Sequence, residues 1–292
     1  MTMMALSAPV SILLKQFHAR KPARIWSLIV TLYGDAIVPR GGSLWIGSLI
    51  EMMALFRIDA GHVRTAVSRL SSDGWLSSTK RGRASYYRLS RSGEDEFLQA
   101  TQRIYSAVPL RQGDLRVVAI GLASGDAASL RAELKAAGYA PVSPSLHVGI
   151  GELPEGLRQR DGVFLLTPLD KDRHALAAAA FGIDDVSQAY ADFIAQFMPL
   201  AAWLRQATPS GEEALIARTL LIHDFRRVVL RDPGLPDDML PADWNGEAAR
   251  ALAAEIYARV VPGSERFLDA HGRDQGGSLP PPGAAFHKRF SR

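Results

Sequence analysis

The sequence predicts an α+β protein in three parts: a mixed N-terminal part, residues 1–108, a small α+β middle part, 109–182, and a helical C-terminal part, 183–292. Two patterns lead to this prediction. Apolar residues recur with helical spacing through most of the first and last parts. Period-2 alternation, which is typical of strands, follows Gly74 and is succeeded after Pro109 by short β-branched runs.

The composition excludes several classes of protein. Of the 292 residues, 47% are hydrophobic, which excludes disorder for the chain as a whole. The absence of cysteine excludes a disulfide scaffold, a thiolate metal site and a cysteine nucleophile. The longest apolar runs, 25–33 and 175–183, are shorter than the ~20 residues that span a bilayer, and the N-terminus lacks secretory signal features. We therefore expect a cytoplasmic protein without a membrane partner.

Positive charge is concentrated in the N-terminal part. Residues 1–105 contain 14 Lys+Arg and 7 Asp+Glu, whereas the remaining residues contain 20 and 23, and the whole chain has a net charge of +4. A basic first third beside a mildly acidic remainder is typical of a chain in which one domain contacts a polyanion. The alternative is chance clustering of solvated charges.

Three helices and a hairpin are predicted in this basic part. The helices follow a proline or a capping residue: 24–33 after Pro22, 44–56 after Ser43, and 60–72 after Asp59. The first is predicted to end at Gly34-Asp35. Two strands, 75–79 and 84–89, then flank a basic tip that contains Gly82. This order is typical of a winged helix-turn-helix, whose third helix enters the major groove while the hairpin lies along the phosphates.

The third predicted helix has one face suited to DNA. If Val63, Val67 and Leu70 face the core, the opposite side carries donors and small groups but no carboxylate. The predicted DNA-binding residues are His62, Arg64, Thr65, Ser68 and Arg69 on the helix, and Lys80, Arg81 and Arg83 on the hairpin. The alternatives are a winged helix that binds protein and a merely solvated basic turn. The hairpin aromatics Trp75, Tyr86 and Tyr87 could stack on bases or, alternatively, pack the hairpin.

The middle and C-terminal parts have separate patterns. In the middle, strands are predicted at 115–121, 145–150 and 162–167, with a helix at 126–137 that Asp126 caps. This order is that of a ferredoxin-like unit without an evident fourth strand. Further helices are predicted at 94–106, 184–206, 210–231 and 243–261. The helix at 210–231 begins with a Ser210–Glu213 capping box and is apolar nearly all round, so we expect it to be the buried centre of its part.

Several long segments resemble the PaaX family of transcriptional repressors of phenylacetic acid catabolism. These are LYGD (32–35), RGG (40–42), WIGSL (45–49), VRTAVSRL (63–70), DGWL (73–76), GRASYYRLS (82–90), LIHDFRRVVLRDP (221–233) and LPADW (240–244). The resemblance implies a winged helix, a middle domain similar to the Cas2 proteins and a helical C-terminal domain. It also implies a homodimer on a palindromic operator, released by an aryl-acyl-CoA such as phenylacetyl-CoA. The chain departs from the family pattern in a more polar turn at 56–60 and at His62.

A CoA thioester has an anionic nucleotide and an apolar acyl end, so its site needs cations beside an apolar pocket. The candidate effector-binding residues lie on the predicted central helix: His223, Arg226, Arg227 and Arg231. The alternative is that these residues pair with nearby aspartates, Asp224, Asp232, Asp237 or Asp238, and fix the proline-rich connector. The basic residues near the C-terminus, Lys288, Arg289 and Arg292, are interpreted as a solvated tail.

No enzyme motif is found. The sequence lacks the nucleophile-elbow, P-loop, dinucleotide-binding and zincin patterns, and no two histidines are three or four residues apart. We therefore expect no catalytic residue, metal or cofactor. Two alternatives to a repressor remain open. One is a metal-dependent nuclease on the Cas2-like middle domain, for which Asp126 is the nearest acidic residue after the first strand. The other is an adaptor that never binds DNA.

Overall fold

The computed structural model describes residues 6–20, 25–109, 113–121 and 127–291. The α+β class predicted from the sequence is confirmed. The chain forms two compact units. The first comprises Met1–Val108, Asp192–Leu230 and Glu247–Arg292, and the second comprises Pro109–Ala191 and Arg231–Gly246. This grouping differs from the three predicted parts because most of the predicted helical C-terminal part belongs to the same unit as the basic N-terminal part.

The first unit begins with two helices, α1 (Ala8–Ala19) and α2 (Ile25–Leu32). Where the sequence predicts a break at Gly34-Asp35, the chain instead continues as a π-helical turn, Tyr33–Ile37, and a 3-10 turn, Val38–Arg40. This stretch is held by buried hydrogen bonds to distant residues, described below, which a local pattern does not reveal. The predicted helix start at Pro22 lies outside the described residues.

A helical pair and a small sheet follow: β1 (Leu44–Trp45), α3 (Ile46–Leu55), α4 (Ala60–Ser72), β2 (Leu76–Arg81) and β3 (Ala84–Leu89). The sheet has the order β1-β3-β2 and is antiparallel. The helix predicted at 44–56 is therefore wrong at its start, because Leu44 and Trp45 pair with Tyr87 and Tyr86 of β3. The helix predicted at 60–72 is confirmed.

The remaining helices of the first unit surround a buried centre. They are α5 (Arg91–Tyr105), α9 (Ile183–Leu204, of which 192–204 belong here), α10 (Gly211–Val229) and α11 (Gly246–His271), followed by a short hairpin of β8 (Arg273–Asp274) and β9 (Gly277–Ser278). Helix α10 is buried on nearly every side, as predicted. The predicted end of the last helix at Val261 is wrong, since α11 continues through Pro262. The helix continues here because it packs closely against α10: a Cβ at Gly263 would lie 2.8 Å from the Cβ of Ala214.

The second unit contains β4 (Leu115–Ile120), α6 (Ala127–Ala136), β5 (Ala140–Ser143), β6 (Leu146–Ile150), α7 (Glu155–Arg158), β7 (Val163–Leu166) and α8 (Asp170–Phe181). Its sheet is antiparallel, with the order β5-β6-β4-β7. The strand that sequence reasoning missed is β5, which is short, contains Pro141 and shifts register against β6. Asp126, predicted to cap the helix, lies outside the described residues.

Candidate nucleic-acid interface

Helix α4 has one buried and one exposed face. The buried side chains are Val63, Ala66, Val67 and Leu70, which match the predicted core stripe. We call the exposed set the recognition face: His62, Arg64, Thr65, Ser68 and Arg69. At its C-terminal end, the Asp73 carboxylate lies 3.5 Å from Arg69 Nε in an exposed pair. The face therefore offers hydrogen-bond donors to solvent, with carboxylates only at the two ends of the helix.

The start of α4 is fixed by a side-chain cap. Asp59 accepts hydrogen bonds from the backbone N–H groups of Gly61 at 2.9 Å and His62 at 3.0 Å, as a helix N-cap does. The His62 ring also contacts this carboxylate. The hydrogen bond from the His62 ring, together with the backbone donors, holds the pKa of Asp59 below its ordinary value. His62 is thus tied to the cap while it remains exposed.

The turn before α4 contains a residue that the sequence analysis did not single out. Arg57 lies between α3 and α4, is exposed, and has φ +57°, a conformation that non-glycine residues adopt rarely. Its backbone N–H donates to the Ala54 carbonyl at 2.9 Å. An arginine in this turn adds a cation next to the N-terminus of α4. The only sequence signal for it was the unusual polarity of the turn.

The hairpin carries its cations at a tight turn. Strands β2 and β3 pair from Leu76↔Leu89 to Arg81↔Ala84, and the connecting residues are Gly82, with φ +61°, and Arg83. A left-handed φ at this turn suits glycine. Lys80, Arg81 and Arg83 are all exposed. We call these three the basic tip.

The members of the basic tip differ in their contacts. Arg81 donates from Nη1 to the Gln275 carbonyl at 2.7 Å, which joins β2 to the loop of the β8–β9 hairpin. Within the described part of the chain, Lys80 and Arg83 have no ion-pair partner. These two cations are therefore the more available ones for an anion.

The hairpin aromatics are half-buried. The Trp75 carbonyl accepts from the Ser90 N–H at 2.9 Å, which closes the hairpin at its base. Tyr86 and Tyr87 lie on β3, opposite β1 on one side and β2 on the other, and the Tyr87 carbonyl accepts from the Tyr33 hydroxyl at 3.3 Å. These contacts fix the backbones of the three residues within the hairpin.

The structure does not bring the four candidate effector-binding residues into one cluster. His223 is 4% exposed, its Nδ1 lies 3.2 Å from the Thr31 hydroxyl, and burial lowers its pKa to about 4. Arg226 is directed at α2, where its Nη2 donates to the Ser27 carbonyl at 3.1 Å. Arg227 is exposed, and Arg231 is exposed in the second unit.

A buried ionic cluster occupies the centre of the first unit. The Asp35 carboxylate accepts from Arg218 Nε at 2.6 Å, Arg289 Nη1 at 2.9 Å, and the hydroxyls of Tyr105 and Tyr257 at 2.7 and 2.8 Å. Burial raises the pKa of Asp35, but the two guanidinium groups and the hydroxyl donors outweigh it and hold the pKa below its ordinary value. We call these five residues the Asp35 cluster.

The cluster extends through a second carboxylate. Arg218 also binds Glu265, which in turn binds Arg40, and Arg40 contacts Asp269 and donates to the Pro280 carbonyl at 2.9 Å. The side chains of Arg218 and Arg40 are 0% and 1% exposed. The turn at 33–40, α10, α11 and the C-terminal residues are therefore joined by hydrogen bonds into one body.

The interpretation of the C-terminal basic residues as a solvated tail is wrong for Arg289. Its side chain is 6% exposed and is paired with Asp35. Lys288 is exposed, and Arg292 lies outside the described residues. The error arises because the partner of Arg289 is 254 residues away in sequence.

The described residues contain neither a membrane-spanning helix nor a metal-binding group. No described helix is long and apolar enough to cross a membrane. Among the same residues, no group of three His, Asp or Glu side chains is arranged to hold a metal ion.

Comparisons with known proteins find family models that match two separate segments of the chain. A family model described as PaaX-like protein matches residues 24–93, which include the recognition face and the basic tip, and a model described as PaaX-like protein C-terminal domain matches residues 181–270. The transcriptional repressor PaaX of Escherichia coli (strain K12) is 35% identical over 281 residues, which is 90% of this chain and 89% of that protein. A solved structure of an uncharacterized protein from Mycobacterium tuberculosis covers 75% of this chain and 89% of its own, with a TM-score of 0.48 and 20% identity.

Proposed function

This chain belongs to the family of PaaX-like proteins, and from that premise we propose that it is a DNA-binding transcriptional repressor of an aromatic-acid catabolic operon of the phenylacetate type. In this proposal a homodimer in the cytoplasm binds a palindromic operator and is released by an aryl-acyl-CoA such as phenylacetyl-CoA. The repressor function is supported by the E. coli relative; the operon, the dimer and the effector are supported by the resemblance of the sequence motifs to the family.

One observation carries the DNA-binding part of the proposal. The recognition face and the basic tip are exposed on a single unit, and a helix cap and a tight glycine turn fix their backbones. The order of α3, α4 and the hairpin supports a winged helix-turn-helix, in which α4 would enter the major groove while Lys80 and Arg83 contact phosphates. Arg64 and Arg69 are the side chains with the reach and donors to bind guanine edges.

The strand order of the second unit supports the proposal of a ferredoxin-like, Cas2-like domain. Its elements run strand, helix, strand, strand, helix, strand, with the first strand, β4, between β6 and β7. This is the order that a split βαβ unit requires, and β5 supplies the strand that the sequence pattern lacked. The nuclease alternative gains no support from the comparisons, since the relative is named as a transcriptional repressor.

The test is binding to the DNA upstream of the gene itself. A labelled upstream fragment and a random fragment of equal length are titrated with the full chain at several salt concentrations, and phenylacetyl-CoA or CoA is then added. A repressor binds the upstream fragment preferentially, with log K falling by ~0.9 per phosphate bound for each unit of log salt, and phenylacetyl-CoA but not CoA releases it. An adaptor binds neither fragment, and a nuclease degrades both when Mg²⁺ or Mn²⁺ is supplied; either result contradicts the proposal.

A further inference from the structure

A cavity of about 220 Å³ lies inside the first unit, between α2, the base of the hairpin, α5 and α10. Its walls are mostly apolar: Val30, Leu89, Phe97, Ile104, Ile222 and Leu230. Trp75 adds an aromatic wall at the hairpin end, and Tyr105 adds one from α5. The cavity is therefore suited to an apolar, ring-sized group.

One polar side chain in the wall has an unused donor. Arg226 donates from Nη2 to the Ser27 carbonyl at 3.1 Å and to the Ser27 hydroxyl, but its buried Nε has no hydrogen-bond partner among the described residues. A buried donor without an acceptor is costly, and an acceptor oxygen from a bound molecule relieves that cost. The cavity therefore favours an occupant with an acceptor oxygen near α10.

The carboxylates of the wall do not make the cavity a cation site. Asp35 already accepts from Arg218 and Arg289, so its charge is compensated inside the protein. Glu96 is exposed on α5 and lies at the solvent side of the cavity. The charged group left to interact with an occupant is the Arg226 guanidinium.

The volume limits the size of the occupant. An apolar cavity of about 150 Å³ is enough for benzene, so 220 Å³ admits one aromatic ring with a short carbonyl-bearing chain. A CoA nucleotide does not fit in such a volume, since sites for drug-sized ligands measure ~300–1,000 Å³. A thioester would insert its acyl end here and leave the nucleotide outside.

We infer that this cavity binds the aryl-acyl group of the effector, with its carbonyl or carboxylate oxygen accepting a hydrogen bond from Arg226 Nε. The effector's chemical class rests on the proposed function; the cavity, its apolar walls and the unpaired donor do not. Of the four candidates on the central helix, only Arg226 lines the cavity, whose other walls come from α2, α5, the hairpin and the apolar side of α10.

The position of the cavity gives the occupant a route to the DNA interface. Trp75 lies three residues after the end of α4, its backbone N–H donates to the Leu70 carbonyl at 2.8 Å, and Leu89 pairs with Leu76 at the base of the hairpin. A ligand that packs against Trp75 and Leu89 contacts the segment that connects the recognition face to the basic tip. A ligand that binds more tightly to the arrangement of this segment with the lower operator affinity would lower operator affinity by linkage.

The test fills the cavity without touching the recognition face or the basic tip. Ala100 lines the cavity from α5, whereas Gln99, its neighbour on the same helix, is exposed. Ala100→Leu and the control Gln99→Leu are compared with wild type by calorimetric titration with phenylacetyl-CoA, free phenylacetate and CoA, in the absence of DNA. Thermal unfolding of each variant establishes that it is folded. Arg226→Lys, which keeps the charge but removes Nε, is titrated in parallel.

We expect Ala100→Leu to weaken phenylacetyl-CoA binding by about tenfold or more, Arg226→Lys to weaken it as well, and Gln99→Leu to match wild type. Equal affinity of Ala100→Leu and Gln99→Leu for phenylacetyl-CoA, or no binding of either aryl compound by wild type, overturns the inference. Binding of free phenylacetate alone, abolished in Ala100→Leu, supports the cavity and overturns the thioester assignment. Because these titrations contain no DNA, they succeed or fail separately from the operator binding that tests the proposed function.

Discussion

Replacing Arg218 by methionine removes the central cation of the Asp35 cluster. Arg218 is fully buried and donates to the Asp35 carboxylate at 2.6 Å, the Asp35 carbonyl at 2.8 Å and the Ser264 hydroxyl at 3.0 Å, besides binding Glu265. Removing one partner of a buried ion pair costs ~3–5 kcal/mol, because the remaining charge stays buried and uncompensated. Arg289 still faces Asp35 in the variant, so we expect a loss near the lower end, about 3 kcal/mol.

The measurement is urea unfolding followed by circular dichroism, with free energies from linear extrapolation. The matched control is Arg205→Met, which breaks an exposed pair: Arg205 donates to Glu255 at 2.8 and 2.9 Å, but its side chain is 51% exposed. Such a pair contributes ~1 kcal/mol at most. If Arg218→Met costs no more than Arg205→Met, the Asp35 cluster does not hold the first unit together.

Three further predictions concern stability. Burial lowers the pKa of His223 to about 4, so between its ordinary pKa and this value only the unfolded chain binds a proton at this residue. Stability that is present at neutral pH is therefore lost as the pH falls through this window, by up to ~3 kcal/mol. Urea unfolding at pH 7 and pH 4.5 should show a smaller loss of stability in His223→Gln than in wild type. Gly34→Ala puts a Cβ 2.1 Å from a Phe97 ring carbon and should lower stability by ~1–3 kcal/mol in thermal unfolding. Gly156→Ala, whose Cβ would have no atom within 4 Å, should lower stability little. Equal losses in the two variants would contradict the close packing of Gly34 against Phe97. Asp59→Ala removes the α4 cap and should cost ~1 kcal/mol, with Asp59→Asn close to wild type in the same unfolding assay; an equal loss in both variants would show that the cap is not the cause.

Local features of the fold could be predicted from the sequence. Helix α4, its Asp59 cap and the Ser210–Glu213 capping box depend on residues a few positions apart, and all three are confirmed. Pairing at a distance could not be predicted. The π-helical turn at 33–37 interrupts a local pattern, and its Asp35 finds its partner Arg218 183 residues away. A single sequence carries no signal for such a contact.

The candidate site also has a part that could be predicted from the sequence and a part that could not. The recognition face follows from helical spacing around Val63 and Val67, so its residues are exposed as predicted. The cavity is lined by residues from α2, the hairpin, α5 and α10, which tertiary packing alone brings together. For this reason the sequence predicted effector-binding residues on a single helix. Of those four candidates, only Arg226 lines the cavity.

We propose that α4 reads the operator while the hairpin holds phosphates. The most direct measurement compares Arg69→Ala and Arg83→Ala in their affinity for operator and for random DNA of equal length across a salt series. Arg69→Ala should lose about 1–3 kcal/mol on the operator and little on random DNA, which abolishes the preference. Arg83→Ala should weaken both duplexes alike and reduce the salt slope by ~1, because the variant neutralises one phosphate fewer. Equal losses on the two DNAs for Arg69→Ala would contradict the claim.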